Sequence, residues 1–280
     1  MSDIPNTPTR SWLFTPAIRP ERFIKATESG ADISIIDLED SVAPNDKAQA
    51  RKIVMQFLFS RPNSSLKIAL RINGMNTHAG IEDLHMLLEC RLFPDYIILP
   101  KTESAAHLQI LDSLIMMAGS DTRLIGIIES VAGLNAVESI VDSTPGLCGL
   151  MFGAADMAAD IGATLAWEPL ALVRARIVAA CAMKGLLAID SPFFDVNDFS
   201  GLKDETLQAL NFGFSAKSAI HPAQISAINT VFTPTAAEIN HARAVLTENV
   251  KGVGIVNGMM IDEAVARHAR RLLARAGISF

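Results

Sequence analysis

The 280-residue chain has only three cysteines, no block of lysine or arginine, no long apolar run and no histidine pair at metal-binding spacing. Cys90, Cys148 and Cys181 are odd in number and far apart, so neither a disulfide framework nor a zinc cluster is expected. They read as buried thiols of a reducing compartment, which places the chain in the cytoplasm. With 24 Lys+Arg against 30 Asp+Glu the net charge is −6. A generic nucleic-acid surface needs a basic stripe to displace counterions, so that class is excluded and any anionic ligand must be met locally. The most apolar stretch, residues 170–183, is interrupted by Arg174 and Arg176. It falls short of the ~20 uninterrupted residues that span a bilayer. The first ten residues, MSDIPNTPTR, hold no basic segment followed by an apolar one, so no secretory leader is expected. There is no GxxxxGKS/T and no GxGxxG after a strand, which removes the usual warrant for ATP or a dinucleotide. No solenoid repeat or low-complexity tract is present.

What is present is a rhythm. Eight short β-branched or apolar runs lie near residues 11–16, 32–38, 67–72, 96–100, 123–129, 148–153, 187–190 and 216–220. Helix-length segments separate them, for instance NDKAQARKIVMQFLF and SAAHLQILDSLIMMAG, with apolar residues at three- and four-residue intervals. Runs such as ISIIDL, YIILP and LIGII are apolar on both faces, as in a parallel sheet covered by helices. Eight such units predict an α/β fold, a (β/α)8 barrel over residues 1–232, with a doubly wound open sheet as the rival. Residues 233–280 read as a C-terminal helical extension. Its two amphipathic helices have no strand behind them and are joined by the Gly-rich VKGVGIVNG. Gly252, Gly254 and Gly258 would let the last helix act as a lid, and a helix packed permanently on the barrel is the alternative.

Each run ends on a polar residue. The second leads into Asp37-Leu38-Glu39-Asp40, the third into Arg71, the fourth into Lys101, the fifth into Glu129, the sixth into Asp156 and the eighth into His221-Pro222. In a barrel these ends converge on the C-terminal rim, where barrel active sites are built. A single charged residue after a strand is most simply a solvated loop residue, but five such segments in step argue for a site. Glu129 and Asp156 are the metal candidates, hard oxygen ligands suited to Mg2+ or Mn2+. None of the six histidines, His78, His85, His107, His221, His241 and His268, shows HxH or HExxH spacing, so zinc is not expected. The Arg71 guanidinium suits a carboxylate or a developing enolate oxygen; the plainer alternative is an ion pair with Glu39 or Asp40, and the two are compatible. Asp37, Glu39 and Asp40 form a supporting acidic cluster in which strongly shifted titration is expected. Arg10, Arg19, Arg22 and Lys25 form a cation group that could hold a phosphate tail, although an ordinary solvated helix is the plainer reading.

The segments RSWLFTPAIRPERFIKA, GADISIIDLEDSVAPNDKAQAR, LRINGMNTHAGIEDL, IILPKTES, IIESVAGLNAVESI, GLMFGAADMAADIG and GFSAKSAIHPAQISAIN resemble, in order, the CitE-like group of the HpcH/HpaI aldolase superfamily. That group includes the citrate lyase β-subunit and the malyl-CoA and citramalyl-CoA lyases. The resemblance implies a TIM barrel, assembled as a homotrimer or dimer of trimers, that uses Mg2+ on acyl-CoA thioesters. It also implies Glu129 and Asp156 as the metal carboxylates, Arg71 on the substrate carbonyl, and Arg19 and Lys25 towards CoA. Ile220, His221 and Pro222 would form a wall of the substrate pocket. In GMMIDEAV, Asp262 resembles a lid aspartate that reaches a neighbouring subunit's active site, although Glu263-Ala264 departs from the residue-then-proline found in many relatives.

The implied activity is cleavage of a 3-hydroxyacyl-CoA, (S)-citramalyl-CoA or malyl-CoA. The Gly-rich LMFGAADMAADIGA resembles the stand-alone CoA lyases more than the citrate lyase subunit. The alternatives are a citrate lyase β-subunit working on an acyl carrier protein, a malate-synthase-like condensation, and a barrel without catalysis.

Overall fold

A computed structural model describes residues 9–61, 67–250 and 252–278. Two compact units are present, Thr9–Ile228 and a C-terminal unit from Asn229. Their division falls inside a helix, a few residues before the boundary at 232 that the sequence suggests.

The first unit alternates strand and helix: β1 Ser11–Pro16, α1 Glu21–Glu28, β2 Ile33–Asp37, α2 Lys47–Phe59, β3 Lys67–Arg71, α3 His78–Cys90, β4 Tyr96–Leu99, α4 Ala105–Met117 and β5 Arg123–Ile128. It continues with α5 Val131–Asn135, α6 Val137–Val141, β6 Leu147–Phe152, α7 Ala154–Ile161, α8 Trp167–Lys184, β7 Leu187–Asp190, α9 Phe199–Phe212 and β8 Ala216–Ala219, and α10 Ile225–Phe232 is the helix in which the division falls. All eight strands are parallel, and β1 pairs with both β2 and β8. That last pairing closes the barrel and removes the open-sheet rival.

Closure follows from the two-faced apolar strands. Alternate residues, among them Trp12, Ile33, Ile35, Ala69, Ile98, Ile125, Ile127 and Ile189, fill the barrel interior. Their neighbours, such as Ile36, Leu70, Ile97, Leu124 and Leu150, pack outward against the helices. Trp12 and Tyr96 meet edge to face at 5.2 Å inside the barrel, a favoured aromatic geometry. Each fully buried aliphatic side chain contributes about 1.5–3 kcal/mol.

One charged group is built into the wall. Lys217 of β8 is fully buried, with Nζ 2.6 Å from Asp190 Oδ2 and 2.7 Å from Glu205 Oε1. Arg174 of α8 donates from Nε to Asp190 Oδ1 at 3.0 Å, and its guanidinium lies 4.1 Å from the centre of the Trp167 ring. Two cations and two carboxylates thus neutralise one another. Burial alone would raise the Asp190 carboxyl, but Lys217 and Arg174 hold it below the usual range. Such a quartet ties β7 and β8 to α8 and α9, and losing one member would leave a buried charge uncompensated.

The C-terminal unit has its own core. α11 Ala236–Asn249 begins with a reciprocal cap between Thr235 and Glu238, and α12 Glu263–Arg275 packs on it through Val245, Leu246, Ala266, Ala269 and Leu273. The Gly-rich segment between them is not a bare connector. It forms an antiparallel hairpin, β9 Gly254–Val256 and β10 Met259–Ile261, in which Val256 faces Met259. Asn257 and Gly258 both adopt positive φ, 51° and 79°, the conformation for which Asn-Gly is the favoured hairpin pair. Among the described residues no helix is long and apolar enough to cross a membrane.

Candidate active site

At the C-terminal rim of the barrel a cavity of about 400 Å³ opens. Its polar lining comprises Asp37, Asp40, Ser41, Arg71, Glu129 and Asp156, and Phe14, Ile127, Met151, Phe152, Phe194 and Ile220 supply most of an apolar wall. The residues that end β2, β3, β5 and β6 in the sequence are therefore brought together.

Strand register sets the first half of this site. Asp37 and Arg71 are the last residues of neighbouring strands and lie directly opposite one another. Arg71 donates from Nε to Asp37 Oδ1 at 2.6 Å and from Nη2 to Asp37 Oδ2 at 2.7 Å, a bidentate fork. Its Nη1 lies 2.9 Å from Glu39 Oε2 and 3.8 Å from Asp40 Oδ2. The contact to Glu39 is an ion pair without hydrogen-bond geometry. Asp37, rather than Glu39 or Asp40, is thus the main partner of Arg71, because pairing across β2 and β3 places it there. The Asp37 carboxyl is pushed up by burial but pulled further down by Arg71 and by hydrogen bonds from Ser41 and the Glu39 N–H, so it stays ionised. Burial would lower the Arg71 pKa, yet Asp37, Glu39 and Asp40 hold it above the usual arginine value. Five N–H bonds radiate from a guanidinium, and Asp37 takes only two of them. The rest of the fork remains for a ligand in the cavity.

The second half comes from β5 and β6. Glu129 follows β5 directly and is 6% exposed. Its Oε1 accepts the Lys101 N–H at 2.7 Å. Burial, followed by repulsion from Glu39, lifts Glu129 to about 8. Glu39 rises to about 7, mainly through burial and against the pull of Arg71. Such carboxyls favour a cation in their midst. Gly153, after β6, makes the carboxylate's position possible: a Cβ there would stand 2.5 Å from both Cβ and Oε2 of Glu129. Asp156 sits half exposed in the first turn of α7. A buried carboxylate cradled by a glycine and a second, accessible carboxylate in one cavity fit a hard divalent cation. Among the described residues no group of three or more His, Cys, Asp or Glu is arranged to hold a metal. A cation held by Glu129 and Asp156 alone would need further ligands, such as water or substrate oxygens.

The remaining expected residues divide. Ile220 lines the cavity, but His221 and Pro222 are not among its lining residues. They are exposed, and His221 Nδ1 accepts the Ala223 N–H at 3.2 Å, so its visible work is to cap the turn Pro222–Gln224. The wall is secured instead by Gln224, which sequence reasoning missed. Its Oε1 accepts the N–H of Ile220 and its Nε2 donates to Phe193 O at 2.8 Å, joining the Ile220 turn to the loop that carries Phe194. Arg10 is engaged by Asp32 in a two-pronged pair, which removes it from the expected cation group. Arg19, Arg22 and Lys25 are exposed around the start of α1. Asp262 belongs to the C-terminal unit, where Oδ1 accepts the Val265 N–H at 3.0 Å as the N-cap of α12. All three cysteines are free thiols, with Cys181 buried and Cys90 and Cys148 partly buried. Burial pushes Cys148 to about 11 and Cys181 to about 12.

A closed parallel barrel whose rim sets an arginine fork against two carboxylates defines a barrel enzyme. Residues 10–222 match the HpcH/HpaI aldolase/citrate lyase family. The chain belongs to that family and is a lyase. It is similar to L-malyl-CoA/beta-methylmalyl-CoA lyase of Cereibacter sphaeroides, 34% identical over 97% of this chain and 96% of the relative. Among solved structures it resembles RipC from Yersinia pestis, 67% identical, with 82% of this chain and 98% of that chain covered and a TM-score of 0.74. It also resembles CitE from Mycobacterium tuberculosis in complex with magnesium, acetoacetate and coenzyme A. There the identity is 32%, the coverage 97% of this chain and 99% of that chain, and the TM-score 0.81.

Proposed function

We propose that the chain is a Mg2+-dependent carbon–carbon lyase that cleaves a 3-hydroxyacyl-CoA. The preferred substrate is (S)-citramalyl-CoA, giving pyruvate and acetyl-CoA, with malyl-CoA, giving glyoxylate and acetyl-CoA, next. One observation carries this reading: the Arg71 fork, fixed by Asp37, shares a cavity with Glu129 and Asp156. The relatives support it, one named as a malyl-CoA lyase and another solved with magnesium and coenzyme A. The apolar wall formed by Phe14, Met151, Phe152 and Ile220 favours the substrate with the extra methyl, a preference worth about 1–3 kcal/mol.

Cleavage requires the 3-hydroxyl to lose its proton while the electrons of the adjacent carbon–carbon bond move into the thioester, which becomes an enolate and is then protonated to acetyl-CoA. Mg2+ held by Glu129 and Asp156 would polarise the hydroxyl and carboxylate oxygens of the acyl group. Arg71 donates its free N–H groups to the thioester oxygen, where negative charge grows. Asp37 keeps the guanidinium from turning towards solvent, so little reorganisation accompanies the step. The buried part of the apolar wall, Ile127, Met151 and Phe152, keeps water from that side of the enolate. We assign Asp262 of a neighbouring copy to proton handling at the substrate, Arg19 and Lys25 to the CoA phosphates, and the molecule to a cytoplasmic homotrimer.

The test is an assay of purified protein with Mg2+ and each ester, following acetyl-CoA and the released acid, with Glu129→Ala as control. Cleavage lost in the control supports the reading. No cleavage of either ester overturns it and favours an acyl-carrier-protein substrate.

A further inference from the structure

Lys101 occupies an unusual place. It follows β4 with φ of 48°, a left-handed conformation that non-glycine residues seldom adopt and that concentrates at functional sites. Neighbouring bonds hold the kink. Lys101 N–H donates to Glu129 Oε1, and the buried Thr102 donates from N to Ile127 O at 3.1 Å and from Oγ1 to Leu99 O at 2.8 Å. The kinked backbone turns the side chain over the carboxylates: Nζ lies 3.7 Å from Glu39 Oε1 and 4.0 Å from Asp156 Oδ2. These separations exceed direct hydrogen bonds, and the side chain is half exposed. The ammonium is therefore held by charge and is free to leave. Arg71, by contrast, is fixed in place by its two hydrogen bonds to Asp37 and cannot leave in the same way.

We propose that Lys101 is the resident counter-cation of this carboxylate pocket and that its ammonium competes with the divalent ion for Asp156. The proposal rests on the reading of Glu129 and Asp156 as metal ligands. A divalent ion bound to Asp156 would stand within a few ångströms of the ammonium, at a distance where like charges repel strongly in a partly buried site. Binding then requires the side chain to swing out. The backbone N–H, by contrast, aligns Glu129 for the ion. One residue thus helps the metal through its main chain and opposes it through its side chain.

The experiment is a calorimetric titration of substrate-free protein with Mg2+, repeated with Mn2+, on wild type, Lys101→Met, Lys101→Gly and Lys101→Arg. Met keeps the length without the charge, Gly keeps the N–H and favours the same left-handed backbone, and Arg restores a cation. The expected result is binding about tenfold tighter in the Met and Gly variants. Arg should stay near wild type, and the difference should shrink as KCl is raised. Unchanged or weaker binding in both Met and Gly, with wild type binding normally, overturns the proposal and leaves the metal reading standing. Binding by none of the four proteins overturns both. Binding by the Met and Gly variants alone supports the proposal in its strongest form.

Discussion

Gly153→Ala tests how tightly the site is built. Gly153 has φ −99° and ψ 85°, which alanine adopts readily, so any cost is steric. The added Cβ would stand 2.5 Å from Glu129 Cβ and Oε2 and 3.1 Å from Ile127 Cγ2. Ordinary carbon contacts lie at about 3.5–4.0 Å, so the Glu129 side chain has to retreat by about an ångström. It is buried and bonded to the Lys101 N–H, and cannot retreat without breaking that bond or displacing the backbone. Overpacking of this kind costs about 1–3 kcal/mol. With Glu129 as the proposed metal ligand, disturbing its support is expected to cost about 10–100-fold in metal affinity or activity. Urea denaturation of the substrate-free protein reads the first effect and Mg2+ calorimetry the second. A variant with the wild-type urea midpoint and Mg2+ affinity would refute the cradle argument.

Asp37→Asn removes the charge opposite Arg71 and is expected to destabilise the fold by roughly 3–5 kcal/mol, towards the lower end because Glu39 remains close. It should lower kcat more than it raises KM, and urea midpoints with steady-state kinetics check both. Because burial raises Glu129 to about 8, the folded metal-free protein binds a proton there that the unfolded chain releases near the ordinary value of ~4.3. Stability without metal should therefore fall as pH rises between those values, and Glu129→Gln should flatten the slope in denaturation measured from pH 5 to 9. Asp262→Asn is expected to leave Mg2+ binding intact and to lower turnover at least ~100-fold. Full activity would leave Asp262 only its helix-capping role.

The barrel was legible because its strands carry a double apolar face. Ile33, Ile35 and Ile36 leave no polar side in β2, and the runs YIIL in β4 and LIGII in β5 repeat that pattern. The rim was legible because a charged residue follows the buried run in β2, β3, β5 and β6. What the chain does not spell out is who meets whom. Asp37 meets Arg71 through a strand register that exists only once β2 and β3 pair. Gly153 matters because of a carboxylate 24 residues earlier in the chain, and nothing local to GAAD marks it. Lys101 is legible as a cation, but its left-handed backbone is not. Lys217 looks like a solvated lysine until the barrel closes and Asp190 and Glu205 enclose it. The Asn257-Gly258 turn had its signal in the sequence, but its strands, three residues each, are too short for an alternating pattern to stand out.

In the proposed reaction the cavity splits a carbon–carbon bond beside a thioester with a divalent ion on Glu129 and Asp156. The most direct measurement is the stoichiometry of products from (S)-citramalyl-CoA, with Mg2+ and with EDTA. Equal amounts of acetyl-CoA and pyruvate are expected with Mg2+ and neither with EDTA. Release of free CoA in place of acetyl-CoA, or cleavage undiminished in EDTA, would contradict that reaction.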